Sequence, residues 1–99
     1  DVARANVCAL QSETPFGFYN VGRGIKTSIR EIGETLIQMT GSKLPIQYEP
    51  SGTTFVTNRV GCPKAAQRDL GFQWQTDLPE GLRKLIDWRN RDKKTAAAA

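Results

Sequence analysis

The chain has 99 residues, of which 38% are hydrophobic and 24% are charged, and its formal net charge is +4. These values are typical of a single globular domain with a modest core. They exclude a membrane-spanning segment, because no run approaches the roughly 18 consecutive apolar residues that one requires, and the absence of histidine excludes Ser-His and Cys-His nucleophile pairs within the chain.

The first half of the chain predicts two helices separated by a short strand. Apolar residues at helical spacing predict a helix from Asp1 to about Gln11, with an N-cap residue at its start. Because the chain begins on a capped helix rather than on Met, we expect it to be a fragment of a longer protein. Aromatic and β-branched residues predict a strand over 16–21. A capping box at 28–31 then predicts a helix that ends at Gly41.

The middle of the chain predicts two extended segments and a short helix. Residues 45–49 read as a strand. Residues 55–60 alternate weakly and predict a further strand or an extended segment. Residues 63–71 predict a helix that has proline in its first turn and glycine at its end, with Ala66 and Leu70 facing inward.

The last part of the chain predicts an extended segment followed by a helix. Residues 72–75 are extended, and a second capping box at 77–80 starts a helix with Trp88 at the edge of its apolar stripe. Residues 93–99 read as a frayed basic and alanine tail, so residues 1–92 form the predicted domain. The order of elements predicts an α/β fold, with a small mixed sheet and about four helices.

Charge is distributed unevenly along the chain. Residues 1–82 carry eight basic and eight acidic side chains, so the excess positive charge lies in residues 83–94. Cations favour a helix C-terminus and solvate a chain end. The alternative is a binding module that uses this basic end for an acidic partner or nucleic acid, although the aromatic residues of a nucleic-acid stacking platform are missing.

The two cysteines, Cys8 and Cys62, do not form a metal-type pair. Their scarcity suits a reducing compartment, so we expect a cytoplasmic protein. With two lone cysteines and no histidine, a zinc site is not expected.

The Gly22-Arg23-Gly24 turn lies between a predicted strand and a helix, as do the glycine turns of dinucleotide-binding folds. The third glycine of that pattern is replaced by Thr27, and a strand-to-helix turn that needs positive φ explains the glycines equally well. Exposed N–H groups near Ser28 offer an intermediate possibility, an anion site. Arg59 is a further candidate, because a guanidinium binds phosphate with two parallel hydrogen bonds.

In order and spacing, several short motifs resemble the C-terminal part of the extended short-chain dehydrogenase/reductase family, which contains the nucleotide-sugar epimerases and dehydratases. The resemblance runs from residue 1 to about 91. The matching stretches are Asp1-Val2-Ala3-Arg4-Ala5, Tyr19-Asn20-Val21-Gly22-Arg23-Gly24 with Thr27-Ser28, Lys64-Ala65 with Leu70-Gly71-Phe72, Leu78-Pro79-Glu80-Gly81-Leu82, and Ile86-Asp87-Trp88.

The resemblance implies that this chain is the substrate-binding portion of an NAD-dependent nucleotide-sugar epimerase or dehydratase. In that family an N-terminal Rossmann domain binds NAD, and a Tyr-x-x-x-Lys pair performs the chemistry. The chain has neither the pair nor the NAD-binding glycine loop. We therefore expect it to be inactive alone, with a missing Rossmann domain and a homodimeric parent.

The resemblance also implies a site for a nucleotide-diphosphate sugar. Family members often carry an R-x-G-D-type stretch that holds phosphate and nucleoside, but residues 50–54 contain neither Arg nor Asp. We therefore expect Arg59, Asn58, Ser28 and Gly24 to bind the substrate, with Lys64 as a weaker candidate. A third possibility is a remnant without activity that self-associates through exposed apolar surface.

Overall fold

The computed structural model describes residues 1–53 and 57–98, and the regular structure within these residues consists of four helices. Their bounds are α1 at Val2–Gln11, α2 at Ile29–Thr40, α3 at Lys64–Leu70 and α4 at Leu78–Ala98. All four predicted helices are present. None of them is long and apolar enough to cross a membrane.

The predicted α/β fold is wrong, because the described residues contain helices and no strand. Residues 16–21 and 45–49 have no regular structure. The third predicted strand begins at residues 55 and 56, which lie outside the described residues, and residues 57–60 are irregular. β-Branched and aromatic residues favour an extended backbone, but a strand also needs a neighbour to accept and donate its backbone hydrogen bonds. These segments have the composition of strands without a pairing partner.

The ends of α2 and α3 lie where the sequence predicts them. The Ser28 hydroxyl accepts a hydrogen bond from the Glu31 N–H at 3.1 Å, and the Glu31 carboxylate accepts one from the Ser28 N–H at 2.6 Å. This reciprocal pair satisfies two of the donors that a helix N-terminus leaves unpaired. Gly41 ends α2 with φ 64° and Gly71 ends α3 with φ 67°, a left-handed conformation that glycine adopts without strain.

Two compact units alternate along the chain. Unit 1 comprises residues 1–26 and 49–75, and unit 2 comprises residues 27–48 and 76–99. In unit 1, α1 packs against α3. Its buried core consists of Ala5, Ala66 and Phe72, with Tyr19, Leu70 and Trp74 partly buried around it. The short alanine side chains let the two helices approach closely around the one large buried ring.

The first turn of α1 is joined to the segment after α3 by polar contacts. Arg4 Nη2 donates hydrogen bonds to Asp1 Oδ1 at 2.7 Å and to the Gln73 carbonyl oxygen at 2.6 Å. The Arg4 guanidinium also lies 5.4 Å from the centre of the Phe72 ring. The Gln75 N–H in turn donates to Asp1 Oδ1 at 3.2 Å. These contacts hold residues 72–75, which have no regular structure, beside the start of α1.

Unit 2 has a thinner interior, because none of its described residues is fully buried. Its helices α2 and α4 pack against each other. Gly33 faces Ile46 so closely that a Cβ at this glycine would lie 3.4 Å from Ile46 Cδ1. The Arg30 guanidinium lies 5.5 Å from the centre of the Tyr48 ring. Residues 45–48 therefore pack on α2 as an irregular segment.

Helix α4 starts at a side-chain cap and is the longest helix of the described chain. Asp77 Oδ1 accepts a hydrogen bond from the Glu80 N–H at 2.9 Å, which fixes its first turn. The helix then continues through residues 93–98, which the sequence assigned to a tail. Leu85 and Trp88 of its apolar stripe remain about half exposed, at 55% and 53%.

Candidate functional site

A pocket of about 250 Å³ lies within unit 1, where the glycine turn meets the start of α3. Its described lining residues combine cationic, polar and small side chains with glycine backbone. They are Arg23, Gly24, Val60, Cys62, Pro63, Lys64 and Gln67. Ligand pockets for whole small molecules usually measure about 300–1,000 Å³, so this pocket can hold one chemical group of a larger ligand.

The glycine turn is fitted closely to the segment that precedes α3. Gly24 has φ 72°, and a Cβ at this position would lie 2.9 Å from Pro63 Cδ. A Cβ at Gly61 would lie 3.6 Å from Asn20 Cβ. Both the backbone conformation and the close approach to Pro63 therefore require glycine at position 24. Arg23, which precedes Gly24, and Lys64, which follows Pro63, both line the same pocket.

Arg23 is held by an aromatic ring instead of a carboxylate. Its guanidinium carbon lies 4.6 Å from the centre of the Trp74 ring, a cation–π contact. Its Nε atom is buried without a hydrogen-bond partner. By contrast, Arg4 and Arg68 of the same unit form ion pairs of 2.7 Å with Asp1 and Asp69. Arg23 is therefore a half-buried cation whose charge no described carboxylate neutralises.

The pocket has a positive electrostatic character. Arg23 and Lys64 are its charged described lining residues, and neither Asp nor Glu is among them. Gln67 follows Lys64 by three residues, so the two project from the same side of α3. Cys62 adds a free thiol. Two cations with an amide and no carboxylate suit an anionic group with several oxygen acceptors, such as a diphosphate.

Tyr19, the half-buried aromatic residue at the start of the glycine motif, belongs to a structural network. Its hydroxyl donates a hydrogen bond to Asp69 Oδ2 at 3.0 Å, and Arg68 Nε donates to Asp69 Oδ1 at 2.7 Å. The hydrogen bond from Arg68 is the main reason that the pKa of Asp69 is lowered. Burial of the phenol, followed by the hydrogen bond to Asp69, raises the pKa of Tyr19. Tyr19 is therefore a neutral donor that ties the glycine motif to α3, as packing rather than acid–base chemistry would require.

The sequence-predicted substrate residues are not all at this pocket. Gly24 lines it, whereas Asn58 and Arg59 are exposed and are not among its described lining residues, although they directly precede Val60. Ser28 belongs to unit 2, and its N–H and hydroxyl are engaged with Glu31 in the α2 cap. The carboxylate of Glu31 also brings negative charge to that helix end, and the hydrogen bond from the Ser28 backbone lowers the pKa of Glu31.

The sequence did not predict that Arg23 lines this pocket, because Arg23 entered only as the variable residue of a Gly-x-Gly turn. Sequence reasoning rated Lys64 below Arg59 and did not consider Gln67. The sequence could have indicated that Lys64 and Gln67 lie together, because they are three residues apart on a predicted helix. Arg23 has no acidic residue close to it in the sequence, which could have indicated an arginine without an ion-pair partner. Its contact with Trp74 could not be predicted, because Trp74 is 51 positions away.

The residues around the glycine turn do not fit a dinucleotide such as NAD. Gly22-Arg23-Gly24 follows an irregular segment instead of a strand, and residues 25–28 separate the turn from α2. A dinucleotide cradle needs the strand, the turn and the helix in direct succession, so that the helix N-terminus faces the pyrophosphate. The glycine turn therefore lacks the succession of elements that a dinucleotide cradle requires.

The basic end of α4 does not present a purely cationic surface. A shallow depression along this helix is lined by Asp87, Asn90, Arg91 and Lys94, so a carboxylate lies among the cations. Arg89 forms an ion pair of 3.5 Å with Asp92. Partial neutralisation by these acids favours a solvated helix over a nucleic-acid surface.

Comparison with known proteins gives several curated relatives. UDP-glucose 4-epimerase of Caenorhabditis elegans is 25% identical over 103 residues, which cover 99% of this chain and 30% of the relative. A bifunctional UDP-glucose 4-epimerase and UDP-xylose 4-epimerase of Arabidopsis thaliana is 28% identical over 93% of this chain and 28% of the relative. UDP-arabinose 4-epimerase 1 of Arabidopsis thaliana is 30% identical over 90% of this chain and 22% of the relative.

The chain thus spans less than a third of the length of these curated relatives. No family model matches the chain, and no solved structure matches it. The alignments cover nearly all of this chain and are consistent with the C-terminal part of an epimerase. The resemblance that the sequence motifs indicated is therefore confirmed, since nearly the whole chain is similar to a part of several UDP-sugar 4-epimerases.

Proposed function

We propose that this chain forms the nucleotide-sugar-binding portion of an NAD-dependent UDP-sugar 4-epimerase, with the pocket of unit 1 holding the diphosphate. The observation that carries the proposal is the positive pocket between the glycine turn and α3. It lies in a chain whose curated relatives act on UDP-sugars by name. Its size suits a diphosphate better than a whole nucleotide sugar, so the uridine and the sugar must extend beyond it.

In this proposal Arg23 and Lys64 bind the diphosphate oxygens, and Gln67 adds an amide donor. The guanidinium of Arg23 can donate two parallel hydrogen bonds to neighbouring oxygens, and the ammonium of Lys64 acts as a point charge. Gly24 lets the backbone approach, since it carries no Cβ. Asn58 and Arg59 directly precede the lining residue Val60 and are weaker candidates for binding the diphosphate.

The chain contributes binding and leaves the chemistry to the rest of the parent enzyme. It has no Tyr-x-x-x-Lys sequence to exchange a proton with a sugar hydroxyl. NAD, when bound to the parent, supplies the transient oxidation of the sugar that a 4-epimerase needs. The side chains of this portion hold the diphosphate, and thereby orient the sugar ring for a reaction that they do not take part in.

Titration of the ¹⁵N-labelled chain with UDP-glucose, UDP and uridine tests the proposal. We expect amide shifts centred on residues 23–24 and 60–67 with UDP-glucose and UDP, and weaker shifts with uridine. Arg23→Gln and Lys64→Gln should each weaken UDP binding by about tenfold or more, since hydrogen bonds to charged groups contribute about 1.5–3 kcal/mol.

Lys26→Gln is the matched control, because Lys26 is an exposed cation of the same unit and does not line the pocket. It should change the affinity by less than about twofold, through long-range charge alone. If Lys64→Gln and Lys26→Gln weaken UDP equally, non-specific attraction explains the binding and the proposed site is wrong. Shifts confined to residues 83–94 would instead support binding at the basic end of α4.

A further inference from the structure

The contact between Arg23 and Trp74 suggests that the aromatic ring has a role in binding. Arg23 lines the pocket, and its guanidinium carbon lies 4.6 Å from the centre of the ring of Trp74, which is not among the described lining residues. Trp74 is itself half-buried and packs against the core of Ala5, Ala66 and Phe72. A continuous series of contacts therefore runs from the core, through the indole, to the guanidinium at the pocket.

We propose that Trp74 is a positioning residue that fixes the guanidinium of Arg23 in the pocket, ready to bind an anionic ligand with phosphate-type oxygens. This inference rests on the proposed function for the identity of that ligand, a nucleoside diphosphate. Neither residue belongs to the fixed positions of the motifs that identify the family: Arg23 is the variable residue of the turn, and Trp74 lies beyond the last matched residue of the α3 motif.

The choice of an aromatic partner leaves the charge of Arg23 available to a ligand. A carboxylate partner neutralises a guanidinium and competes with an incoming phosphate for its N–H groups, as Asp69 does for Arg68. An indole face attracts the cation without using those N–H groups. Because Nε is already covered, the donors left for a ligand are those on the two terminal nitrogens.

The indole also reduces the conformational entropy that the Arg23 side chain loses when a ligand binds. A free arginine side chain samples many rotamers, and ordering it on binding weakens the affinity. A guanidinium stacked on a ring that is itself packed against a core has already lost much of that freedom. Partial burial further strengthens its interaction with an anion, because the surrounding dielectric is lower than that of water.

A double-mutant cycle with inorganic pyrophosphate, UDP-glucose and uridine tests this role. We expect Trp74→Leu to weaken pyrophosphate and UDP-glucose by about three- to tenfold, and Trp74→Phe by less than about twofold, since phenylalanine keeps an aromatic face. In an Arg23→Gln background, Trp74→Leu should cause little further loss, because the two residues act as one unit. Uridine, which has no phosphate, should bind equally to the wild type and to Trp74→Leu.

Equal and additive losses would overturn the inference. If Trp74→Leu weakens uridine as much as pyrophosphate, or adds its full effect to that of Arg23→Gln, then Trp74 only supports the fold. If pyrophosphate binding depends on both Arg23 and Trp74 but UDP-glucose binds no more tightly than pyrophosphate, the positioning role stands and the nucleotide-sugar function fails. If UDP-glucose binds and neither variant weakens it, the positioning role fails alone.

A second measurement leaves Trp74 in place, in case its replacement unfolds unit 1. In a Trp88→Phe chain, Trp74 is the sole tryptophan. Pyrophosphate should change its fluorescence in this chain and should leave it unchanged when Arg23→Gln is added. An identical change in both chains would show that the ligand reaches the indole without the guanidinium, which would overturn the inference.

Discussion

Phe72 offers the sharpest test of how unit 1 is held together. It is fully buried, and the other residues of the buried hydrophobic core in the described chain are the small residues Ala5 and Ala66. Its ring also receives the Arg4 guanidinium at 5.4 Å from its centre. No other described side chain of comparable size is fully buried, so Phe72→Ala removes most of the apolar volume of this core.

The expected loss can be worked from these contacts. Replacing a buried phenylalanine by alanine typically costs about 3–5 kcal/mol, from lost transfer free energy and from the cavity left behind. A small core collapses more easily around a cavity, which favours the lower end, while the lost contact with Arg4 adds about 0.5–1 kcal/mol. Domains are stable by roughly 0.05–0.15 kcal/mol per residue, so a unit of about half this chain has roughly 3–8 kcal/mol. The loss of about 3.5–6 kcal/mol is therefore comparable with the whole stability of unit 1, and we expect Phe72→Ala to lower its urea midpoint sharply at 25 °C.

Urea unfolding followed by Trp74 fluorescence in the Trp88→Phe background measures this loss. Phe18→Ala is the matched control, because Phe18 belongs to the same unit and is 90% exposed. The centre of its ring lies 5.4 Å from that of Phe16, which is itself 78% exposed. The control should change the free energy of unfolding by less than about 1 kcal/mol. If both variants lose the same small amount, Phe72 is not the centre of this core and the account of unit 1 is wrong.

Three further substitutions test local features. Gly24→Ala should destabilise unit 1 by about 1–2 kcal/mol in urea unfolding because its φ is 72°, whereas Gly22→Ala, with no atom near a built Cβ, should be nearly neutral. Equal effects would refute the strained turn. The pKa of Asp69 is lowered, chiefly by Arg68, so its ionised form stabilises the fold above the ordinary carboxyl pKa, and this stability is lost as the pH falls through the lowered pKa. Asp69→Asn should therefore lower Tm near neutral pH and flatten its decline in acid; an unchanged acid decline would contradict this. Ser28→Ala should cost about 1 kcal/mol and reduce helicity in circular dichroism, and unchanged helicity would show that the cap contributes nothing.

The helices could be predicted because their signals are local. A hydroxyl at Ser28 and a carboxylate three residues later are sufficient to specify a helix start, and Gly41 and Gly71 specify helix ends by their left-handed backbone. None of these signals depends on what the rest of the chain does. The inward positions of α3 followed from periodicity in the same way, and Ala66 is indeed fully buried.

The lack of a sheet in the described residues and the position of the pocket could not be predicted, because both depend on contacts between distant parts of the chain. Residues 16–21 have the composition of a strand, but a strand exists only when a second backbone lies alongside. Likewise, only the folded chain brings Arg23 to Trp74 and to the pocket at the start of α3. Sequence reasoning chose Arg59 because an unpaired arginine in an extended segment is a reasonable phosphate ligand, and it had no means of choosing between the two arginines.

The interleaving of the two units along the chain affects the order in which the protein can fold during synthesis. Ala5 and Phe72 share one core, and at about 5–20 residues per second the ribosome adds Phe72 roughly 3–13 s after Ala5. Throughout that interval α1 has no apolar partner from α3, and Ala5, which is buried in the folded unit, remains open to the nascent chain's surroundings. Unit 1 must also wait for all of residues 27–48, which belong to the other unit. A cleavage within 27–48 would separate the two halves of both units at once, so limited proteolysis of this chain should not release a folded half.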